Sequence, residues 1–219
     1  MIHFYFFLVG SIVASFLGLV VDRFPEQSII TPASHCNICG QKLAPRDLIP
    51  VLSQLINRLR CRFCNSKIPI RYILLELTGG CLFLATSLGY LNINRLVLLA
   101  MGMTLSLYDQ REQEYPLLIW LIFHIFLLFL TSFNLLMVAF LALGILAHFV
   151  DLRIGAGDFL FLASCSTIFN LTEVLLIIQI ASIIGLLLFG LKSKKDRLAF
   201  VPCLFIGVIV LFLYELLLP

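Results

Sequence analysis

The sequence predicts an all-α polytopic membrane protein of about eight transmembrane helices, interrupted by one small zinc-knuckle-like cytosolic loop domain. Three observations lead there. Of 219 residues, 61% are hydrophobic and 12% charged, with a mean hydropathy of +1.08. A soluble domain is roughly half apolar and about a quarter charged, so a globule of this size cannot hide so much apolar surface from water. The apolar residues form long Leu/Ile/Phe runs without the strand-like alternation of a membrane barrel. Finally, the basic residues are confined to a few short polar stretches. A soluble enzyme, a disordered regulator and a nucleic-acid-binding domain all fit poorly, whereas membrane lipid is implied as a partner.

A helix crossing the hydrocarbon core needs about 20 mainly apolar residues, fewer where it ends at a polar site. Read that way, the spans are 2–21, 72–91, 93–108, 116–130, 133–150, 159–169, 174–191 and 198–218, the third and sixth being short. With the N-terminus outside, segments 22–71, 109–115, 151–158 and 192–197 lie inside, and the C-terminus returns outside. Every Lys and Arg except Arg95 then falls on the inner side, as the positive-inside tendency requires. Dropping one of the short spans scrambles that partition. The first run has no basic residues before it and is followed by Arg23, so it reads as a retained helix rather than a cleaved signal. The organisation is therefore a first helix (1–21), a cytosolic cysteine-rich loop (22–71) and a transmembrane domain (72–219), with no internal repeat.

The loop holds four of the seven cysteines, as Cys36-Asn37-Ile38-Cys39 and Cys61-Arg62-Phe63-Cys64, separated by residues 40–60. Two CxxC turns at this separation have the spacing of a four-thiolate zinc site. A reducing cytosol favours thiolate–metal bonding over disulfides; a redox dithiol and unliganded cysteines are the competing readings. Such a site is closed, so its zinc is structural and folds a loop that otherwise has little core. His35 either replaces a ligand or, as preferred, flanks the first turn. Cys81, Cys165 and Cys203 lie singly in apolar spans and read as small core residues.

Acids near lipid are expensive and mark function. Asp109 ends the third span, and Asp158 closes Gly155-Ala156-Gly157-Asp158 and opens the sixth. The topology puts both at one membrane face, on different helices, which is the raw material of an aspartyl dyad. Two carboxyls about 3 Å apart share one proton: the charged member takes a proton from water and the protonated one polarises the scissile carbonyl. Gly155 and Gly157 let a substrate backbone or neighbouring helix come close. The alternative for this tetrapeptide is an ordinary turn with Asp158 as helix N-cap. Asp151 is the rival second carboxylate, though Arg153 beside it favours a surface ion pair. Glu112 and Glu114 flank Arg111 and read as solvated; His124 and His148 read as hydrogen-bonded packing residues. The basic run at 192–197 reads as a topology anchor or lipid-headgroup contact.

Along nearly its whole length the chain resembles the prepilin peptidases, the type IV prepilin leader peptidase/N-methyltransferases of the GxGD aspartic membrane protease group. The matches run in order: Gly10-Ser11, Ser15-Phe16-Leu17, Arg23-Phe24-Pro25, Ser34-His35-Cys36, the first cysteine pair with Gly40, and Asp47 to Ser53. The second pair then leads into Lys67-Ile68-Pro69-Ile70-Arg71-Tyr72 and Glu76, followed by Asp109, GAGD and Phe200-Val201-Pro202. The resemblance implies that Asp109 and Asp158 are the catalytic pair, and that the substrates are prepilin or pseudopilin precursors cut at the cytosolic face of a bacterial inner membrane. It implies removal of a short basic leader just before the precursor's hydrophobic helix, with Gly before the cut. It further implies N-methylation of the new terminus with S-adenosylmethionine, associated with the cysteine-bearing segment, in type IV pilus, competence or type II secretion systems. Two positions depart from the family: Leu160 where Lys is common, and Tyr115-Pro116 where Ile-Pro or Leu-Pro is usual. Competing readings are a presenilin/signal-peptide-peptidase-like intramembrane protease, whose Pro-Ala-Leu element is absent, and a non-enzymatic transporter or assembly subunit with a zinc-stabilised loop.

Overall fold

A computed structural model describes residues 1–150, 155–191 and 198–217. Asp151, Arg153, the basic run at 192–197 and the end of the last expected span lie outside the described residues. Among those described, all regular structure is helical: α1 (Ile2–Arg23), a 3-10 turn (Pro45–Leu48), α2 (Leu52–Ile56), α3 (Arg71–Ser87), α4 (Ile93–Glu112), α5 (Leu117–Leu130), α6 (Leu135–Phe149), α7 (Ala156–Cys165), α8 (Leu171–Leu191) and α9 (Val201–Leu217). The chain forms two compact units, Met1–Leu91 and Asn92–Pro219.

In the first unit, α1 packs along α3 through small residues. Gly10, Ala14 and Gly18 recur one turn apart on α1: the first two meet Gly79 of α3 and the third lies against Leu75, while Gly80 admits Phe7 and Ser11. A methyl group on Gly79 would stand 2.4 Å from the Ala14 Cβ, and one on Gly10 would stand 2.4 Å from the Gly79 carbonyl oxygen. Backbones this close suit helices meeting in an apolar solvent, where contact packing rather than the hydrophobic effect holds them together. The polar ends are clasped as well. Arg71 donates to Asp22 at 2.7 Å, and the Tyr72 hydroxyl donates to the other Asp22 oxygen at 2.6 Å. Arg23, buried at the end of α1, donates to the Pro32 carbonyl at 2.6 Å and so folds the start of the loop back on the helix.

The second unit is centred on α4, whose Leu98, Met101, Leu105 and Tyr108 are fully buried. Gly102 makes room for the rings of Phe205 from α9 and Phe161 from α7, and Gly207 of α9 lies against Ile177 of α8. At the other end of α4, Arg95 pairs with Glu215 of α9 at 2.7 Å and stacks over Phe212. Local signals start the later helices. Asn134 accepts from the Met137 N–H to cap α6, and Asn170 with Glu173 forms a reciprocal capping box at the head of α8. Outward-facing side chains are large and apolar: Phe129 is 83% exposed and Leu186 73%, a surface suited to hydrocarbon rather than water.

The sequence-predicted spans each coincide with a helix, but two boundaries differ where it matters. α4 continues to Glu112, so Asp109 lies inside its last turn rather than just beyond it. α7 begins at Ala156 and ends at Cys165, so Asp158 lies inside its first turn, and its 10 residues rise about 15 Å, half of a roughly 30 Å core. Apolar periodicity cannot detect either boundary because the polar residues at these helix ends are still helical. Two helices, Ile2–Arg23 and Leu171–Gly190, are long and apolar enough to cross a membrane by themselves.

The contrast between two glycines tests the packing. Gly79→Leu should destabilise the protein by about 1–3 kcal/mol through overpacking, read as a lowered melting temperature in detergent. Gly190→Ala, whose new methyl meets nothing within 4 Å, should leave it unchanged.

Candidate functional site

The cysteine cluster is built by two near-identical turns. In the first, the Cys36 N–H donates to the Gln41 carbonyl and the Gly40 N–H to the Cys36 carbonyl; in the second, Cys61 donates to Ser66 and Asn65 to Cys61. Each turn needs a left-handed residue after its second cysteine, supplied by Gly40 at φ 68° and Asn65 at φ 60°, two residue types that accept it readily. An antiparallel bridge closes each turn, His35 with Lys42 and Arg60 with Lys67. Asp47 cross-links them: it accepts the Ala44 N–H and pairs with Arg62 at 3.2 Å.

The result brings all four predicted ligands together. The Sγ atoms of Cys36, Cys39, Cys61 and Cys64 lie within 4.8 Å of one another, Cys36 and Cys64 at 3.8 Å. A zinc–sulfur bond of about 2.3 Å in a tetrahedron implies sulfur–sulfur edges of about 3.8 Å, so donor type, number and spacing all fit a divalent metal. Backbone N–H groups of Cys39 and Ile38 pull the Cys36 thiol down to about 6 and the Ser66 hydroxyl lowers Cys64, while, against the Gln41 backbone, desolvation and the neighbouring thiols push Cys39 up to about 11. His35 flanks the cluster, its Nδ1 at 3.0 Å from the Ala33 carbonyl, and is not among the converging ligands.

Glu76, picked out in the sequence only as part of a family-like run, is a second centre of this unit. It is buried on α3 and accepts from the Ser15 hydroxyl of α1 at 2.8 Å, the Val51 N–H at 2.7 Å and the Gln54 amide at 2.6 Å. Val51 has φ 62°, a costly conformation for a β-branched residue, and its N–H is held there by the carboxyl group. A buried acid with three donors thus joins both helices to α2 of the cysteine loop.

In the second unit, Asp109 is buried in the last turn of α4, and its Oδ2 accepts the Val201 N–H, in the first turn of α9, at 2.9 Å. Asp158 lies in the first turn of α7, half-buried and within electrostatic range of Asp109. Tyr115 and Cys203 lie within the same range of both carboxyls. Gly155 is the N-cap of α7, and the Asp158 N–H donates to its carbonyl at 3.0 Å. Asp158 is therefore not the N-cap that the turn reading expects; it is the third residue of the helix, where an acid also suits the dipole. The two glycines differ. Among the described residues, the space beside Gly155 borders the Asp158 carboxyl, at 3.3 Å, whereas that beside Gly157 is filled by the Tyr115 ring. Sequence reasoning treats Tyr115 merely as a departure. Its one available signal is the following proline, which holds a residue extended.

Other expectations resolve individually. His124 is a packing residue as expected, its Nδ1 2.8 Å from the Ser164 hydroxyl and its ring stacked on Trp120. His148 is instead exposed, edge-on to Phe149. Cys165 and Cys203 are buried, but Cys81 is exposed on α3, since the small residues on that helix's other face already fill the α1 contact. Glu112 and Glu114 are exposed, Glu112 pairing with Arg111.

Comparison with known proteins adds the following. The family described as the Bacterial Peptidase A24 N-terminal domain matches residues 8–90, almost the whole first unit. A prepilin leader peptidase/N-methyltransferase of Myxococcus xanthus is 48% identical over 82 residues, covering 37% of this chain but only 24% of its own. Its namesake in Bacillus subtilis is 27% identical over 229 residues, covering 95% of this chain and 92% of its own. One from Neisseria gonorrhoeae is 26% identical, covering 94% and 88%. No solved structure matches.

Removing the buried carboxyl tests its part in seating the loop. Glu76→Ala leaves three donors without their acceptor and should cost about 2 kcal/mol of local stability. That predicts a roughly thirtyfold faster tryptic cut at Arg58 or Arg60, with helix content by circular dichroism unchanged.

Proposed function

We propose that this chain is a prepilin leader peptidase, as its similarity to such proteins supports, and that it removes the short basic leader of prepilin-like precursors by an aspartyl dyad, Asp109 with Asp158. The observation that carries the reading is the placement of two carboxyls in one unit, Asp109 in the last turn of α4 and Asp158 in the first turn of α7. Asp109 accepts a backbone N–H from the start of α9, an arrangement that suits a charged carboxylate. It is therefore the base. It takes a proton from water as the water oxygen attacks the scissile carbonyl, while Asp158, carrying the shared proton, donates to the carbonyl oxygen. Collapse of the tetrahedral intermediate breaks the C–N bond, a proton of the gem-diol returns to Asp158, and the proton held on Asp109 leaves with the new amine. Asp158 is half-exposed, consistent with the substrate arriving on its side.

The cut falls at the cytosolic face of a bacterial inner membrane, with both termini outside, a topology supported by the restriction of Lys and Arg to the proposed inner segments. The relatives' second name supports methylation of the new amino group, with S-adenosylmethionine as donor; no side chain of this chain is assigned to that donor. Cys36, Cys39, Cys61 and Cys64 would hold zinc. When bound, the ion acts as a structural cross-link, since four thiolates leave no open coordination position.

In proteoliposomes holding a basic-leader precursor, Asp109→Asn and Asp158→Asn should each lower cleavage by about a thousandfold while both proteins remain membrane-inserted. Normal cleavage by either variant removes the dyad. Purified protein should carry about one equivalent of zinc. The combined Cys36→Ser, Cys61→Ser variant should lose it, as measured by mass spectrometry; undiminished metal content removes the site.

A further inference from the structure

α5 and the residues leading into it grip α7 along a single face. The Tyr115 hydroxyl donates to the Gly157 carbonyl. Five residues on, the Trp120 indole N–H reaches the Leu160 carbonyl at 2.9 Å and the Ser164 hydroxyl at 3.1 Å. One turn further, His124 Nδ1 lies 2.8 Å from the same hydroxyl. Positions 157, 160 and 164 fall on one stripe of a helix. Polar contacts between helices last where little water competes for them.

The outermost of these contacts lies one residue from Asp158. Gln113, at φ 59°, ends α4 by donating to the Asp109 carbonyl at 2.9 Å, and Pro116 caps α5. Tyr115 is thus held in a short connection between the helix of Asp109 and α5, and the proline keeps its backbone extended. Its ring lies directly over the Gly157 Cα: a methyl group there would stand 2.8 Å from Cε1, 3.0 Å from Cζ and 3.1 Å from the hydroxyl oxygen. The hydroxyl is itself bonded to the Gly157 carbonyl, so the ring cannot swing aside without losing that bond. A carbonyl oxygen has two lone pairs, so this one can serve both the hydroxyl and the helix's own ladder.

We propose that Tyr115 is a positioning residue for Asp158, fixing the first turn of α7 from outside that helix through its contacts with the Gly157 backbone. The inference rests on the peptidase reading for its effect on cleavage, but the packing it describes can be measured without it. Tyr115 stands where the related proteins' pattern has Ile or Leu before the proline, so Tyr115→Leu is a natural probe.

The test uses the full-length protein in proteoliposomes with a basic-leader precursor, and melting temperature in detergent as an activity-independent readout. Tyr115→Phe, which keeps the ring, should lower kcat roughly tenfold with KM unchanged. Gly157→Ala should cost about a hundredfold in kcat and lower the melting temperature. In the Tyr115→Leu background the same Gly157→Ala change should cost less in kcat than it does in the wild-type chain and leave the melting temperature where Tyr115→Leu alone put it. Additive losses in both readouts would overturn the proposal. A wild-type chain that cuts no such precursor yet keeps the melting-temperature coupling would remove the peptidase reading and leave the clasp standing.

Discussion

A carboxyl group withdrawn from water at the edge of a hydrocarbon layer has to find its hydrogen-bond donors inside the protein, and each unit is arranged around one that does. Asp109 takes the Val201 N–H from the start of α9. For that contact to exist, the first turn of α9 must reach the last turn of α4, and the small residues between the helices allow it. Gly102 admits Phe205, and Gly207 brings α9 against Ile177 of α8. Glu76 plays the corresponding part in the first unit, gathering donors from α1, from the strained backbone at Val51 and from α2. In both cases an apolar contact between helices sets the distance, and a single acid determines which polar segment docks on them.

The first unit adds a different kind of order. Its loop carries few buried apolar side chains: Ile49, Leu52, Leu55 and Ile56 are all exposed. A segment with so little core cannot offset its conformational entropy by burial. Instead it is held by two repeated turns, the Asp47–Arg62 cross-link and the convergence of four sulfurs. The proposed zinc would close that set of constraints from the open side. Glu76 then attaches the assembled loop to the helices, so the same unit contains both the scaffold and the tether.

The two carboxyls of the proposed dyad are held by unlike means, which suits their unlike parts. Asp109 is buried and bonded to a helix start; Asp158 is half-exposed in a short helix gripped by a neighbour. With only 10 residues, α7 has little intrinsic stability of its own. Its contacts with Trp120 and His124 therefore matter more for placing Asp158 than they would along a longer helix.

Composition and periodicity by themselves determined that the chain is helical and apolar, and the spacing of Cys36, Cys39, Cys61 and Cys64 determined which cysteines converge. Those properties are local: a run of Leu and Phe, or a CxxC turn, carries its physics within a few residues. The proposed pairing of Asp109 with Asp158 was legible only as two acids at equivalent depths. Tertiary structure alone decided the rest. The donor to Asp109 is a backbone N–H at Val201, which no side-chain pattern can announce. The three donors to Glu76 come from positions 15, 51 and 54, contacts that exist only once α1 and α3 have closed. The space beside Gly157 is filled by a residue far along the chain. A glycine in the sequence records that room is needed; only packing in three dimensions shows what occupies it.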